Sequence, residues 1–315
     1  MLTFSPSPHI HRRRRVRGAM LHVCVALAPA LITALWYFGL PALQVTLVSV
    51  AACVAAEWLL ARYVLGRRDA LPSTSAALTG LLLALNLPSS LPWWTVVAGA
   101  VFAIGIAKMA FGGLGCNIFN PALAGRVFLL ISFPALMTTW PVAGGGFAAA
   151  ADGATGATLL EQLKYGVTDC LSRSDMLLGH MGGSMGETGA VAILLGLVYL
   201  LAVRVITWHT PVAIIATVAV FDLLIGAPVA DNLLGGGLLL GAVFMATDYV
   251  TSPMTGRGML VYGVFIGAVT VVIRQWGAYP EGMSFAILLG NAVTPLIDMW
   301  LRPRRFAPAR KEVAA

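Results

Sequence analysis

The sequence predicts an all-α polytopic membrane protein of about ten transmembrane helices, several of them broken, arranged as two inverted five-helix repeats. Three observations predict it. Of 315 residues, 59% are hydrophobic and only 10% are charged, whereas soluble domains average about 25% charged. Ten apolar runs of near-spanning length follow one another along the chain. When these runs are made to alternate across a bilayer, sixteen of the twenty Lys and Arg residues fall on one side. That is the positive-inside asymmetry, and it accounts for most of the net charge of +7 without a nucleic-acid partner.

The elements follow in order. The basic N-terminus, residues 1–18, contains "SPSPHIHRRRRVRGAM" and precedes a long apolar run with no small-residue cleavage motif. It reads as the cytoplasmic flank of a retained first helix, not as a cleaved signal peptide. The first repeat, 19–136, holds runs near 19–38, 42–65, 75–90, 93–110 and 118–136. A loop at 137–187 follows, then a second repeat at 188–301 with runs near 188–203, 209–226, 235–250, 259–275 and 284–301, and a basic tail at 302–315. The third, fifth and eighth runs are short or interrupted by Gly, Pro and Asn. Both termini are placed in the cytoplasm and the 137–187 loop outside it.

An odd number of elements per half forces the second half to run inverted. The sequence pairs the halves directly. "SAALTGLLLALNLPSSLPWW" (75–94) and "GGLLLGAVFMATDYVTSP" (236–253) stand third in their halves, and each breaks at a polar residue and a proline. "NIFNPALAG" (117–125) and "GNAVTPLID" (290–298) stand fifth, each with Asn and then Pro. Matched broken segments point to an inverted-repeat membrane fold with a central site.

Charges inside apolar runs are costly, which makes Glu57, Lys108, Arg126, Asp222, Asp248 and Asp298 functional candidates. Each has a structural alternative. Lys108, Arg126 and Asp298 lie near run ends, from which a side chain reaches water, and Asp222 lies near an outer end. Glu57 has Arg62 five residues later, which suggests a local ion pair. Asp248 sits at a helix break matched by Asn86, and these two are the ion-path candidates. Asn86, Asn117, Asn120 and Asn291 all stand at breaks, where an amide satisfies freed backbone groups.

Other features have structural readings. Cys24, Cys53, Cys116 and Cys170 show no CxxC spacing, and the five histidines show no ligand spacing. Trp93, Trp94, Trp140, Trp208, Trp276 and Trp300 lie at run boundaries, as an aromatic belt requires. Walker A, GxGxxG and HExxH motifs are absent from the sequence.

The stretch "DGATGATLLEQLK" (152–164) lies in the outer loop. Thr158 and Glu161 form a capping box, with Thr158 as N-cap and Glu161 three residues on, so a short helix through about Lys164 is predicted. A helix start presents free N–H groups and partial positive charge, which suits a phosphate. "DGATGAT" resembles the flavinylation sequence read by FMN transferases. The resemblance makes Thr158 the acceptor of covalent FMN through its phosphate, and Asp152, Thr155, Gly156 and Ala157 the recognition sequence.

The resemblance covers nearly the whole chain. "SPHIH" (7–11), "LTGLLLALNLP" (78–88), "GGLGCNIFNPALAG" (112–125), "LISFP" (130–134) and "GAYPEGMSFAILLGNAVTPLID" (277–298) resemble the D subunit of the Rnf ion-translocating ferredoxin:NAD oxidoreductase complex. The related B subunit of the sodium-pumping NADH:quinone reductase has a longer N-terminal extension, which favours Rnf. The resemblance implies a urea-transporter-like fold in the bacterial inner membrane, with electron relay coupled to Na+ or H+ movement. It implies partner subunits with iron–sulfur clusters and flavins, one of them a second flavinylated subunit, and an FMN transferase for maturation. Likeness to the relative extends this to a riboflavin in the membrane part, with no residues assigned. A non-redox channel of the urea-transporter type is the alternative, and under it the motif is only a helix cap.

Overall fold

The computed structural model describes residues 16–66, 73–141, 155, 156, 158, 160, 173–179, 181–277 and 281–301. Helix α1 (Val16–Leu59) continues as a π-helical turn over Leu60–Val64. Taken straight, its 44 residues would extend about 66 Å, twice a hydrocarbon core of about 30 Å. It is not straight. Gly39, between Pro29 and Pro41, has φ 61° and ψ −139°. Both arms of α1 reach Lys108: Glu57 binds its ammonium group at 2.5 Å, and Ala19, Met20 and Val23 line the same cavity as Lys108. The chain therefore doubles back at Gly39, and the runs at 19–38 and 42–65 are two helical arms. Only glycine takes that backbone conformation without strain. Gly39→Val is expected to cost about 1–3 kcal/mol, read as a lower Tm of the full chain in detergent.

Helix α2 (Thr74–Leu85) starts at Ser73, whose hydroxyl accepts from the Ala76 amide at 3.3 Å, and stops at Asn86. It lies against α1, where the Ser49 hydroxyl donates to the Gly80 carbonyl at 2.7 Å. Helix α3 (Trp93–Ile104) runs on through a π-helical turn at Gly105–Met109. Asn120 caps α4 (Pro121–Ser132), accepting from the Ala122 amide at 3.1 Å, with Pro121 in the first turn where its missing N–H costs nothing. Helix α5 (Pro134–Met137) leads to β1 (Trp140–Pro141), which pairs antiparallel with β2 (Thr155–Gly156). Then come α6 (Arg173–Leu178), α7 (Ala190–Ala202), α8 (His209–Ile225) and α9 (Val229–Leu234). Helix α10 (Leu238–Leu240) extends as a π-helical turn over Gly241–Met245, and α11 (Gly256–Trp276) and α12 (Met283–Trp300) complete the chain.

Each of the ten apolar runs thus carries helix. Three helical spans, Val16–Val64, Gly256–Trp276 and Met283–Trp300, are long and apolar enough to cross a membrane, and five further apolar helices are shorter. Helix α1 packs on α2, α3 and α7, and α11 packs on α8 and α12. Helix α4 lies against α2, α3 and α12. Large apolar side chains such as Trp36, Leu47, Leu195 and Leu224 are more than half exposed, while Lys108, Arg126 and Glu187 are buried. That inversion suits hydrocarbon surroundings.

The end of the expected outer loop folds back into the protein: residues 183–190 are buried. The Gly186 amide donates to the Leu85 carbonyl at 2.6 Å and the Met185 amide to Leu87 at 3.2 Å. The segment thereby satisfies carbonyls left free where α2 stops.

Candidate functional site

The attachment stretch is docked on the folded chain. Backbone pairing sets Thr155 opposite Pro141 and Gly156 opposite Trp140. Thr158 is 4% exposed and Leu160, which is helical, 5%. Asp152, Ala157, Glu161 and Lys164 lie outside the described residues, as does the capping box they would complete. Leu160 seats against Gly236, which with Gly237 has φ of 69° and 63°. A Cβ at Gly236 would overlap Leu160 and come within 2.7 Å of Nη2 of Arg274. Arg274 is therefore one contact away from the attachment stretch.

Arg274 is buried on α11 and holds the turn before α10. Its Nη1 donates to the Asn232 carbonyl at 2.5 Å, and its Nη2 to the Gly235 and Gly236 carbonyls at 3.0 and 3.3 Å. Arg126 is also buried. It forms an ion pair with Glu281 and donates from Nη1 to Ser284 Oγ at 2.7 Å and to Asn86 Oδ1 at 3.4 Å. The expectation that Arg126 reaches water is corrected. Its partners arrive from the segment that opens α12, which the sequence could not bring near. Asn86 donates to the Leu82 carbonyl at 2.7 Å and touches Met245 Sδ at 3.5 Å. Asn120 donates to the Met245 carbonyl at 3.2 Å, as an amide at a break should.

At the other end of α2 lies a cavity bounded by Lys108, Ser75, Asn117, Asn120 and Asp248. The Thr251 hydroxyl donates to Asp248 Oδ2 at 3.3 Å, and the Asn117 side chain also hydrogen-bonds Asp248. Lys108 is 2% exposed and is held by Glu57 and, at 3.0 Å, by Ser75 Oγ. This corrects two expectations. Lys108 does not reach water, and Glu57 pairs with Lys108 and not with Arg62. The Arg62 guanidinium instead lies 5.5 Å from the Trp58 ring centre. Asn86 bonds Arg126, and Asp248 lines the cavity. Asp222 is buried, and Asp298 accepts from the Met254 amide at 3.2 Å. Among the described residues, no group of three His, Cys, Asp or Glu could hold a metal ion.

Sequence reasoning missed Glu187 and Glu281. Both are buried, at 5% and 7% exposure. The available signal was a single carboxylate directly ahead of an apolar run, in "GETGA" and "YPEGM".

The family model described as NQR2, RnfD, RnfE matches residues 3–307. The D subunit of the Na+-translocating ferredoxin:NAD+ oxidoreductase complex of Acetobacterium woodii is 43% identical over 306 residues, covering 96% of this chain and 94% of the relative. The D subunit of the ion-translocating oxidoreductase complex of Stutzerimonas stutzeri is 43% identical, with 93% of each covered. The D subunit of the proton-translocating ferredoxin:NAD+ oxidoreductase complex of Clostridium ljungdahlii is 40% identical, covering 98% of this chain and 97% of the relative.

Proposed function

The chain belongs to the NQR2, RnfD, RnfE family, and from that premise we propose that it is the D-type membrane subunit of an ion-translocating ferredoxin:NAD+ oxidoreductase, carries FMN on Thr158 and relays electrons between neighbouring subunits. The observation that carries the flavin is the heptapeptide DGATGAT, Asp152 to Thr158. The residues present fit the group. Thr158 supplies a hydroxyl for the phosphoester, and Arg274, a buried cation whose Nε has no hydrogen-bond partner among the described residues, lies one contact away. When bound, FMN supplies the redox chemistry. The chain supplies a tether, which keeps the group at high local concentration, and a fixed seat for the stretch that carries it.

In this reading the chain lies in the bacterial inner membrane, with both termini cytoplasmic and Thr158 on the outer side. Its partners are iron–sulfur and flavin subunits, a second flavinylated subunit and, for maturation, an FMN transferase. Contact between α4 and α12, the fifth elements of the two halves, supports a pair of inverted repeats. The names of the relatives, all D subunits, favour this reading over the B subunit of the quinone reductase. The A. woodii and C. ljungdahlii names carry different ions, so the coupling ion is a matter for transport assays.

The test is direct. The full chain, expressed with an active flavin transferase in an export-competent membrane, is expected to give a fluorescent band under ultraviolet light on a denaturing gel. An unlabelled chain under those conditions sinks the flavin reading. Asp248 and Asn86 remain the ion-path candidates. Asp248→Asn is expected to lower ion-coupled activity while the flavin stays attached; unchanged ion transport removes Asp248 from the path.

A further inference from the structure

A group of buried charges lies at the end of the molecule that holds the Thr158 stretch. It comprises Arg126 on α4, Arg274 on α11, Asp222 on α8, Glu187 ahead of α7 and Glu281 ahead of α12, all no more than 7% exposed. Two guanidinium groups thus face three carboxyls. If all five were ionised, one negative charge would be left over in the interior. Arg126 is committed to Glu281 Oε2. Arg274 spends its terminal nitrogens on three backbone carbonyls and has no carboxylate within ion-pair distance among the described residues. Asp222 is hydrogen-bonded by the Asn232 side chain. Glu187 is held by Ser184, whose amide lies 3.4 Å from its Oε2.

A second observation points the same way. Glu187 Oε1, Glu281 Oε1 and Asp222 Oδ2 are buried and have no hydrogen-bond partner among the described residues. The backbone closes tightly around the first of these carboxyls. A Cβ at Gly183 would lie 2.7 Å from Glu187 Oε2, and one at Gly237 would lie 2.9 Å from Oε1. A buried carboxylate with one oxygen lacking a donor is costly in such surroundings, and protonation lowers that cost.

We propose that Glu187 holds one exchangeable proton. Loading takes the proton from hydronium, breaking one of its O–H bonds and forming one on a Glu187 carboxyl oxygen. Release breaks that bond and passes the proton back to water as hydronium, with no change in electron count. The site is independent of the flavin and stands on the packing around Glu187. Burial and the nearby Glu281 carboxyl also push the Glu187 carboxyl up, to about 8 from an ordinary 4.5, against the opposing pull of Arg126 and the Ser184 hydrogen bonds. The sign follows. The fold prefers neutral Glu187, so a stability cost is absent below the ordinary carboxyl range, grows as pH rises, and is complete above about 8.

Infrared difference spectroscopy on the full chain in detergent tests this. At neutral pH the wild type is expected to show a protonated-carboxyl band that shifts in D2O and disappears at alkaline pH. Glu187→Gln should abolish it. A wild type without the band, or a band that survives Glu187→Gln, overturns the proposal. Loss of the band on adding Na+ at fixed pH assigns the site to the metal ion and also overturns it. Thermal melting is the second measurement. Between about pH 5 and 8 the wild-type Tm should fall relative to Glu187→Gln; parallel curves overturn the proposal.

Discussion

Thr158→Val is expected to remove the flavin band from a denaturing gel completely while the full-length chain stays in the membrane. Valine keeps the branched shape of threonine at Cβ and lacks only the hydroxyl. No phosphoester can form without that oxygen, so the loss is all or none. Thr155→Val keeps the acceptor hydroxyl and alters only the sequence read by the transferase, so a reduced yield is expected. Full labelling of Thr158→Val would move the acceptor elsewhere in the chain. The geometry adds a condition. Thr158 is 4% exposed and its neighbour Leu160 is seated against Gly236. The transferase must therefore meet the stretch before it packs, or with it lifted.

Arg126→Met is expected to be among the most destabilising single substitutions in this chain. It strips Glu281 of its ion pair and leaves Ser284 and Asn86 without their shared donor. Removing one member of a buried pair costs about 3–5 kcal/mol, because the remaining charge stays buried without compensation. Replacing both members by apolar groups of similar volume removes that burden. The double variant Arg126→Met with Glu281→Met should therefore melt well above the single variant, and the cycle of four proteins isolates the pair energy. Thermal unfolding of the purified chain in detergent measures it. A single variant that melts with the wild type would show that Arg126 and Glu281 are not paired in the interior.

Much of the helical layout was legible because it depends on local rules. All ten apolar runs carry helix, and the third stops at Asn86, the fifth starts after Asn120 and stops before Pro134, and the eighth starts after Gly237. Even the reversal inside α1 was visible as two separate runs, since Gly39 and Pro41 lie between them. Side-chain partners were not legible. Glu57 had a basic residue five positions away in sequence and bonded a lysine on another helix. Asn86 and Asp248 stood in matched positions and took different surroundings, one against Arg126 and one in a cavity. Glu187 and Glu281 looked like loop residues, and packing buried both.

Sequence by itself determined the runs of helix, their breaks and the candidate acceptor Thr158, because hydrocarbon surroundings and capping act within a few residues. Only the tertiary structure decided which charges meet. Lys108 and Glu57 are 51 residues apart, and Arg126 and Glu281 are 155 apart. An ion pair needs its atoms within a few ångströms, and helix packing alone brings such distant residues together.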